Sequence, residues 1–400
     1  MKKFFVLCCI LSSLSALVDV NAQCTFDSET GTQVGLLGGD CNNTILTAVP
    51  FLRIAPDARV AGMGEAGLAI SPDANSIAFN ASRLAYAENN FEIAATYTPW
   101  LRELGVRDVY LAYLAGYTKL SENEALGFSL RYFSLGDVQF TDLNGMNLGE
   151  GNPNEFEVSL AYARKLSEKL SAGITGKFIY SNLASGQSVG GLEINAGTSG
   201  AVDLSLTYNS PVGQTNDLTV ALAITNIGSK IGYIPTLTKD FIPTNLGIGT
   251  AYIARLSEFN KLTVALDINK LLVPSPYIST HPEYDVDPQD NIADHRQVGL
   301  FSGMLGSFGD APNGFSEELQ EFYYSLGLEY VYNERFAVRA GYFYEHRNKG
   351  NRKFLTAGVG LGLNEFQLDL SYLIPTSNQR SALDNTLRFT VMYKVTGATS

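Results

Sequence analysis

The stretch Lys119-Leu-Ser-Glu-Asn-Glu-Ala-Leu-Gly-Phe-Ser-Leu-Arg-Tyr132 holds two signals. Its first half is polar. Its second half alternates, with Leu126, Phe128, Leu130 and Tyr132 separated by Gly127, Ser129 and Arg131. A period of two is the signature of a β-strand, because successive side chains leave a pleated backbone on opposite faces. The polar half recurs: a basic residue followed by Leu-Ser-Glu also stands at Lys165 and Arg255. Leu120 and Leu166 are 46 positions apart, and Leu166 and Leu256 are 90, nearly twice that. A unit of about 45 residues repeats, and the tripeptide marks one point in it.

Working outward, the same alternation appears along the chain. Phe156, Val158, Leu160 and Tyr162 alternate with Glu157, Ser159 and Ala161, and Phe366, Leu368, Leu370 and Tyr372 with Gln367, Asp369 and Ser371. Fourteen such segments start near Phe91, Arg107, Ala125, Glu155, Leu170, Gly200, Leu218, Asn245, Leu262, Gln320, Arg335, Lys353, Glu365 and Thr386. Short and long connections alternate between them. Ser121–Glu124, Ser167–Lys169, Ser210–Asp217, Ser257–Lys261, Asn333–Glu334 and Asn364 are short; the longest of the others is Val273–Leu319. Each Leu-Ser-Glu is therefore a tight turn, and the repeat is one circuit of two strands and a loop. Ser210–Asp217 supplies the turn between the second and third copies. An even number of antiparallel strands, with one apolar and one small or polar face, predicts a 14-stranded transmembrane β-barrel. Closure is required, because hydrocarbon cannot satisfy an open sheet edge. A soluble sandwich also alternates, but aromatics at the segment ends and a charged fraction of only 17% favour the membrane.

The N-terminus agrees. Met1-Lys2-Lys3, the apolar run Phe4–Val18 and Ala22 form the three regions of an export signal, expected over residues 1–22. Gln23 before Cys24 argues against lipoprotein processing. Cys24 and Cys41 are left in the mature chain and are able to form a disulfide in an oxidising compartment, although sequence does not fix that pairing. The formal net charge of −12 disfavours nucleic acid as a partner.

Gly62-Met-Gly64-Glu-Ala-Gly67 matches the dinucleotide pattern but lies in no βαβ context. It reads better as a small-residue segment packed inside the barrel, part of a plug expected over residues 48–90, between an N-terminal extension (23–47) and the barrel (91–400). The acidic run from His281 to Asp290 fails the calcium-loop register, with Asp290 at the sixth position and Arg296 at the twelfth when counted from Asp285. No catalytic set, cofactor motif or metal set stands out, and no enzyme activity is expected. Asp108, Arg131, Glu157, Lys177, Asp203, Asp267, Glu329, Arg339, Asp369 and Arg388 are expected to point inward, either as paired charges or as the lining of a hydrated conduit. Two long loops are unusually apolar. Ile231, Tyr233, Ile234 and Leu237 in one, and Phe301, Met304, Leu305 and Phe308 in the other, are expected either to bind a partner or to fold together as a lid.

Several stretches carry a resemblance: Pro50-Phe-Leu-Arg-Ile-Ala-Pro-Asp-Ala-Arg-Val-Ala-Gly-Met-Gly64, Ser307-Phe-Gly-Asp-Ala-Pro-Asn-Gly-Phe-Ser-Glu-Glu318, Gly341-Tyr-Phe-Tyr-Glu345, Gly350-Asn-Arg-Lys-Phe354 and Asn385-Thr-Leu-Arg-Phe389. The chain resembles the PorV family of the Bacteroidetes type IX secretion system, which is itself similar to the FadL family of fourteen-stranded barrels with an N-terminal plug. The resemblance implies an outer-membrane location, surrounded by outer-membrane lipid, and a shuttle role. Its implied partners are a SprA/Sov-type translocon barrel, secreted cargo with C-terminal signal domains and a PorU-type sortase attachment complex. The alternative is a FadL-like channel for hydrophobic small molecules. Such a route needs an apolar lumen, whereas the inward positions here are largely polar.

Overall fold

The computed structural model describes residues 24–27, 32–35, 43–102, 105–141, 146–189, 191–235, 238–276, 294–311, 314–376 and 385–395. The expected export signal, Cys41, Leu237 and the acidic run from His281 lie outside them. The chain forms two compact units, Met1–Asn43 and Thr44–Ser400. In the first, Cys24–Asp27 pairs antiparallel with Thr32–Gly35.

The second unit is a closed barrel of fourteen strands. They are β1 (Phe91–Pro99), β2 (Val109–Ser121), β3 (Glu124–Leu135), β4 (Asn154–Lys165), β5 (Leu170–Asn182), β6 (Gly197–Val212) and β7 (Asn216–Gly228). There follow β8 (Asn245–Arg255), β9 (Asn260–Leu271), β10 (Phe322–Tyr332), β11 (Phe336–Tyr344), β12 (Lys353–Leu363), β13 (Phe366–Pro375) and β14 (Leu387–Val395). Each pairs antiparallel with its chain neighbours. β14 closes on β1, with Phe389 opposite Tyr97 and Val395 opposite Phe91. Tight connections at one end include 122–123, 166–169 and 364–365; the longest at the other end is 272–321. Asn333, Glu334 and Asn364 take the left-handed backbone that such turns need, which asparagine tolerates better than most residues.

The wall alternates as the period requires. On β9, Val264, Leu266 and Ile268 face outward while Thr263, Ala265 and Asp267 are buried. Outward aromatics gather near both rims. Tyr97, Tyr110 and Tyr132 pack in a row at the long-loop end, and Phe366 against Tyr393 at the short-turn end. Such paired girdles mark the two membrane interfaces. Asp108 departs from expectation. β2 begins one residue later, with Val109, Leu111, Tyr113 and Ala115 buried inside, so its period turns Asp108 to the outer side, where it is exposed and accepts the Asp137 N–H at 2.6 Å.

Inside lies a plug of short helical pieces: Pro50–Arg53, α1 (Ala58–Gly62), Ala74–Ala78 and Ala81–Tyr86. Asp57, Asp73 and Asn80 cap the last three through side-chain oxygens that accept the exposed first-turn N–H groups. The wall makes room with small inward residues. Ala221, Ala223, Ala251 and Ala265 pack on Val60, Met63, Leu68 and Ile70 of the plug.

Candidate functional site

The glycine-rich motif is a seat and not a nucleotide loop. Gly64 has φ +63°, and a Cβ there would lie 2.5 Å from the Tyr342 nitrogen and 2.8 Å from the Leu326 oxygen. A Cβ on Gly341 of the facing wall would overlap the Gly64 nitrogen. Backbone meets backbone here, an approach open only to glycine. Thr356 Oγ1 accepts the Gly64 N–H at 2.9 Å and donates to the Gly62 carbonyl at 3.0 Å.

Some inward charges bind the plug to the wall, and others pair strand with strand. Glu329 takes Arg59 in a two-pronged grip, at 2.9 Å from Nε and 2.8 Å from Nη2. Arg59 Nη1 also reaches Asp73 at 2.8 Å, and Arg339 bridges Glu329 (2.7 Å) and Asp369 (2.6 Å). Lys177 pairs with Asp203 at 2.8 Å, and Asp267 accepts the Gly67 and Leu68 N–H groups at 2.7 and 2.8 Å. Of the two sequence readings, paired charges describes these contacts. Toward the long loops the lumen is filled by an apolar cluster in which the plug's Val49, Phe51 and Leu52 meet Trp100, Phe133, Phe343 and Phe354. A cavity of about 480 Å³ remains toward the short turns, and Arg59, Asp73, Glu88, Lys261, Glu329 and Arg339 help to line it. It is a polar space, unlike the apolar pockets that hold hydrophobic ligands.

The long-loop end carries the candidate partner surface. The 272–321 connection contains α2 (Leu300–Gly306) and α3 (Phe315–Glu318). Phe301 is 70% exposed, Leu305 78% and Phe308 also exposed. Met304, expected beside them, is 8% exposed and lies under the helix. The reason is helical spacing: residues four apart share a face, so Phe301 and Leu305 point out while Leu300 and Met304 point in. The sequence reading missed Phe315 (77% exposed) and Leu319, further exposed apolar side chains of the same connection that are themselves four apart. The 229–244 loop behaves differently. Ile231 is buried, forms a bridge with Asp240 and joins the upper-lumen cluster. Tyr233 and Ile234 are half-buried, and the Tyr233 hydroxyl lies 2.9 Å from Ser181 Oγ. This loop packs largely as a lid, whereas the α2–α3 strip faces outward.

Buried ion pairs hold the strip's base. Lys270 pairs with Glu318 (3.2 Å) and with Glu321, and Lys349 with Glu317 (2.5 Å) and Glu321 (3.0 Å). Glu318 Oε1 accepts the Ala311 N–H at 2.8 Å, and Asp310 Oδ2 accepts the Ser275 N–H at 3.2 Å. Burial, helped by neighbouring Glu321 and Glu318, pushes the Asp310 carboxyl up to about 6. Asp310, Glu318 and Glu321 are the carboxylates among the described residues that converge closely enough to hold a cation. Lysine ammonium groups already occupy two of them. Nearby, Glu345 accepts from both Arg53 (2.8 Å) and Arg352 (2.9 Å). Although burial opposes ionisation, the Arg352 and Arg53 guanidiniums hold its carboxyl below the usual range.

Comparison with known proteins places this architecture. Among solved structures, the Ralstonia pickettii toluene transporter TbuX aligns with a TM-score of 0.50 at 11% identity, covering 86% of this chain and 98% of that one. The Pseudomonas putida toluene transporter TodX aligns at 0.49 and 11%, covering 86% and 99%. A Pseudomonas aeruginosa FadL homologue aligns at 0.44 and 8%, covering 88% and 100%. At such identities the likeness concerns the fold alone. No curated protein matches the sequence. The family model described as "Type IX secretion system protein PorV" matches residues 39–278, more than half of the chain. With a closed fourteen-stranded wall, an apolar belt and a plug also in place, the chain is an outer-membrane barrel that belongs to the PorV family of type IX secretion system proteins.

Proposed function

We propose that this barrel binds the translocon of the type IX system and hands cargo with C-terminal signal domains to the surface attachment complex, using the α2–α3 strip as its docking surface. The observation that carries this reading is the exposure of Phe301 and Leu305 on α2 and of Phe308 just after it, together with Phe315 on α3 and Leu319 just after it, α3 being fixed by buried ion pairs. Exposed apolar patches on rigid supports mark protein interaction sites. In a barrel with short periplasmic turns, the strip lies outside the cell. A SprA/Sov-type barrel, the cargo domains and a PorU-type sortase are the partners that the family assignment suggests. The filled upper lumen and the polar cavity weigh against the alternative, a channel for hydrophobic small molecules.

The test replaces Phe301, Leu305 and Phe315 together with Ser. Each buried anchor in an interface costs about 2 kcal/mol or more on truncation. Copurified translocon or cargo should fall sharply while the barrel still inserts, because all three side chains are solvent-facing. Glu168→Ala, in an opposite-end turn, is the control. Normal insertion with wild-type surface cargo in the triple variant overturns the docking role.

A further inference from the structure

Phe241 links the docking strip to the plug, by its ring on one side and its backbone carbonyl on the other. Above it sits α2. A Cβ on Gly303 would lie 2.9 Å from Pro274 and 3.1 Å from the Phe241 ring, so at that glycine the helix packs on the ring with no room for a side chain. Leu300 packs on the cluster of Ile45, Phe241, Leu271 and Val273. Lys230 braces the same joint, with Nζ 4.2 Å from the Phe241 ring and hydrogen bonds to the Arg296 and Val298 carbonyls that lead into α2. Below, the Phe241 carbonyl accepts the Ala48 N–H at 2.9 Å.

The next residue is strained. Val49 is buried at φ 48°, ψ 52°, a left-handed conformation that a β-branched side chain resists. Such a conformation persists only where its surroundings over-determine it. On one side the surroundings are the Ala48 tie. On the other they are Phe51 and Leu52 in the upper-lumen cluster, with the Leu52 carbonyl 3.0 Å from Arg131 Nη1.

We propose that α2, Phe241 and the Ala48–Val49 joint form a spring-loaded catch, through which a partner seated on α2 releases the 45–54 strap from the upper lumen. This rests on the docking reading above. A partner shifts such an equilibrium only by binding one state better. Here the difference is supplied by Leu300 and Met304: both lie under the seated helix and become available to an apolar partner only when it lifts. Release then relaxes Val49.

Hydrogen exchange on the full barrel in lipid nanodiscs tests the catch. Gly303→Leu wedges α2 away from Phe241 without altering the strap. In that variant the 45–54 amides should exchange about tenfold or more faster. The 80–86 amides should not change, because Asn80 and Ser82 are tied to Ser205 and Thr207 of the wall. Faster exchange in α2 with 45–54 unchanged overturns the proposal. Phe241→Ala is the second variant: α2 and 45–54 should loosen together, and loosening of α2 alone also overturns it. The two readings fail separately. If the triple Ser variant still delivers cargo while Gly303→Leu frees the strap, docking falls and with it the partner as trigger, leaving only the coupling of α2 to the strap; if delivery is lost and the strap stays protected, docking stands and the catch falls.

Discussion

Leu266 and Asp267 are neighbours in the chain and live in different solvents. Leu266 stands on the outward face and is fitted to hydrocarbon. Asp267 is buried inside, accepting two plug N–H groups. The outward face is held by non-directional burial, in which one apolar residue substitutes readily for another. The inward face depends on directional contacts: hydrogen bonds, ion pairs and glycine seats that tolerate little change. One strand therefore carries two kinds of specificity, one of composition and one of geometry.

The sharpest way to break that contrast is Glu329→Leu. It removes the carboxylate shared by Arg59 and Arg339 and leaves two guanidiniums buried without it. Breaking a buried pair from one side costs about 3–5 kcal/mol. Urea unfolding from lipid vesicles, with heat-dependent gel migration as the check on folding, measures the loss. A cost below about 1 kcal/mol, the scale of a surface pair, would mean that the inward charges are solvated and the lumen is open. Next comes the outward face. Leu266→Arg should cost about 2–4 kcal/mol near the bilayer midplane. Ala265→Ser, one position away and inward, should change stability far less, and equal tolerance of the two would erase the distinction between the faces.

The smallest effect lies at the rim and depends on pH. Burial pushes the Asp310 carboxyl up to about 6 in the fold, from an ordinary value of 3.8. A raised acid pKa means that the folded loop favours the protonated form, so its contribution to stability is lost as pH rises through 6. Proteolytic protection of the α2–α3 loop should therefore decline between about pH 4 and 6.5 and level off above. Asp310→Asn should flatten that decline, and an unchanged slope in the variant would assign it to another group.

The strands were legible because alternation is enforced along every wall segment. A lipid-facing position cannot be polar without cost, and an inward position is free to be small, polar or charged where the plug supplies its partner. Leu126 to Tyr132 shows this in one line. The plug was legible at Gly62–Gly67, where small residues cluster outside any helix–strand context. The loop helices were not. α2 is so short that its single apolar run, Leu300 to Phe308, contains both faces, and only their four-residue spacing separates Met304 from Leu305. Ile231 was opaque for a related reason: an apolar residue in a long loop is buried or exposed according to what else folds over it. Asp108 was misplaced by one residue of phase: the inward positions of its strand run Val109, Leu111, Tyr113, Ala115.

The closing seam also sets an order of events. β1 and β14 stand at opposite ends of the barrel sequence, so the wall has two unsatisfied edges until the last strand arrives. The plug precedes all fourteen strands in the chain, yet its backbone touches the wall at Gly64 with no room for a methyl group. Plug and wall therefore fix each other's shape: the plug fills the bore that the fourteen strands close around, and the wall holds the plug's backbone at Gly64.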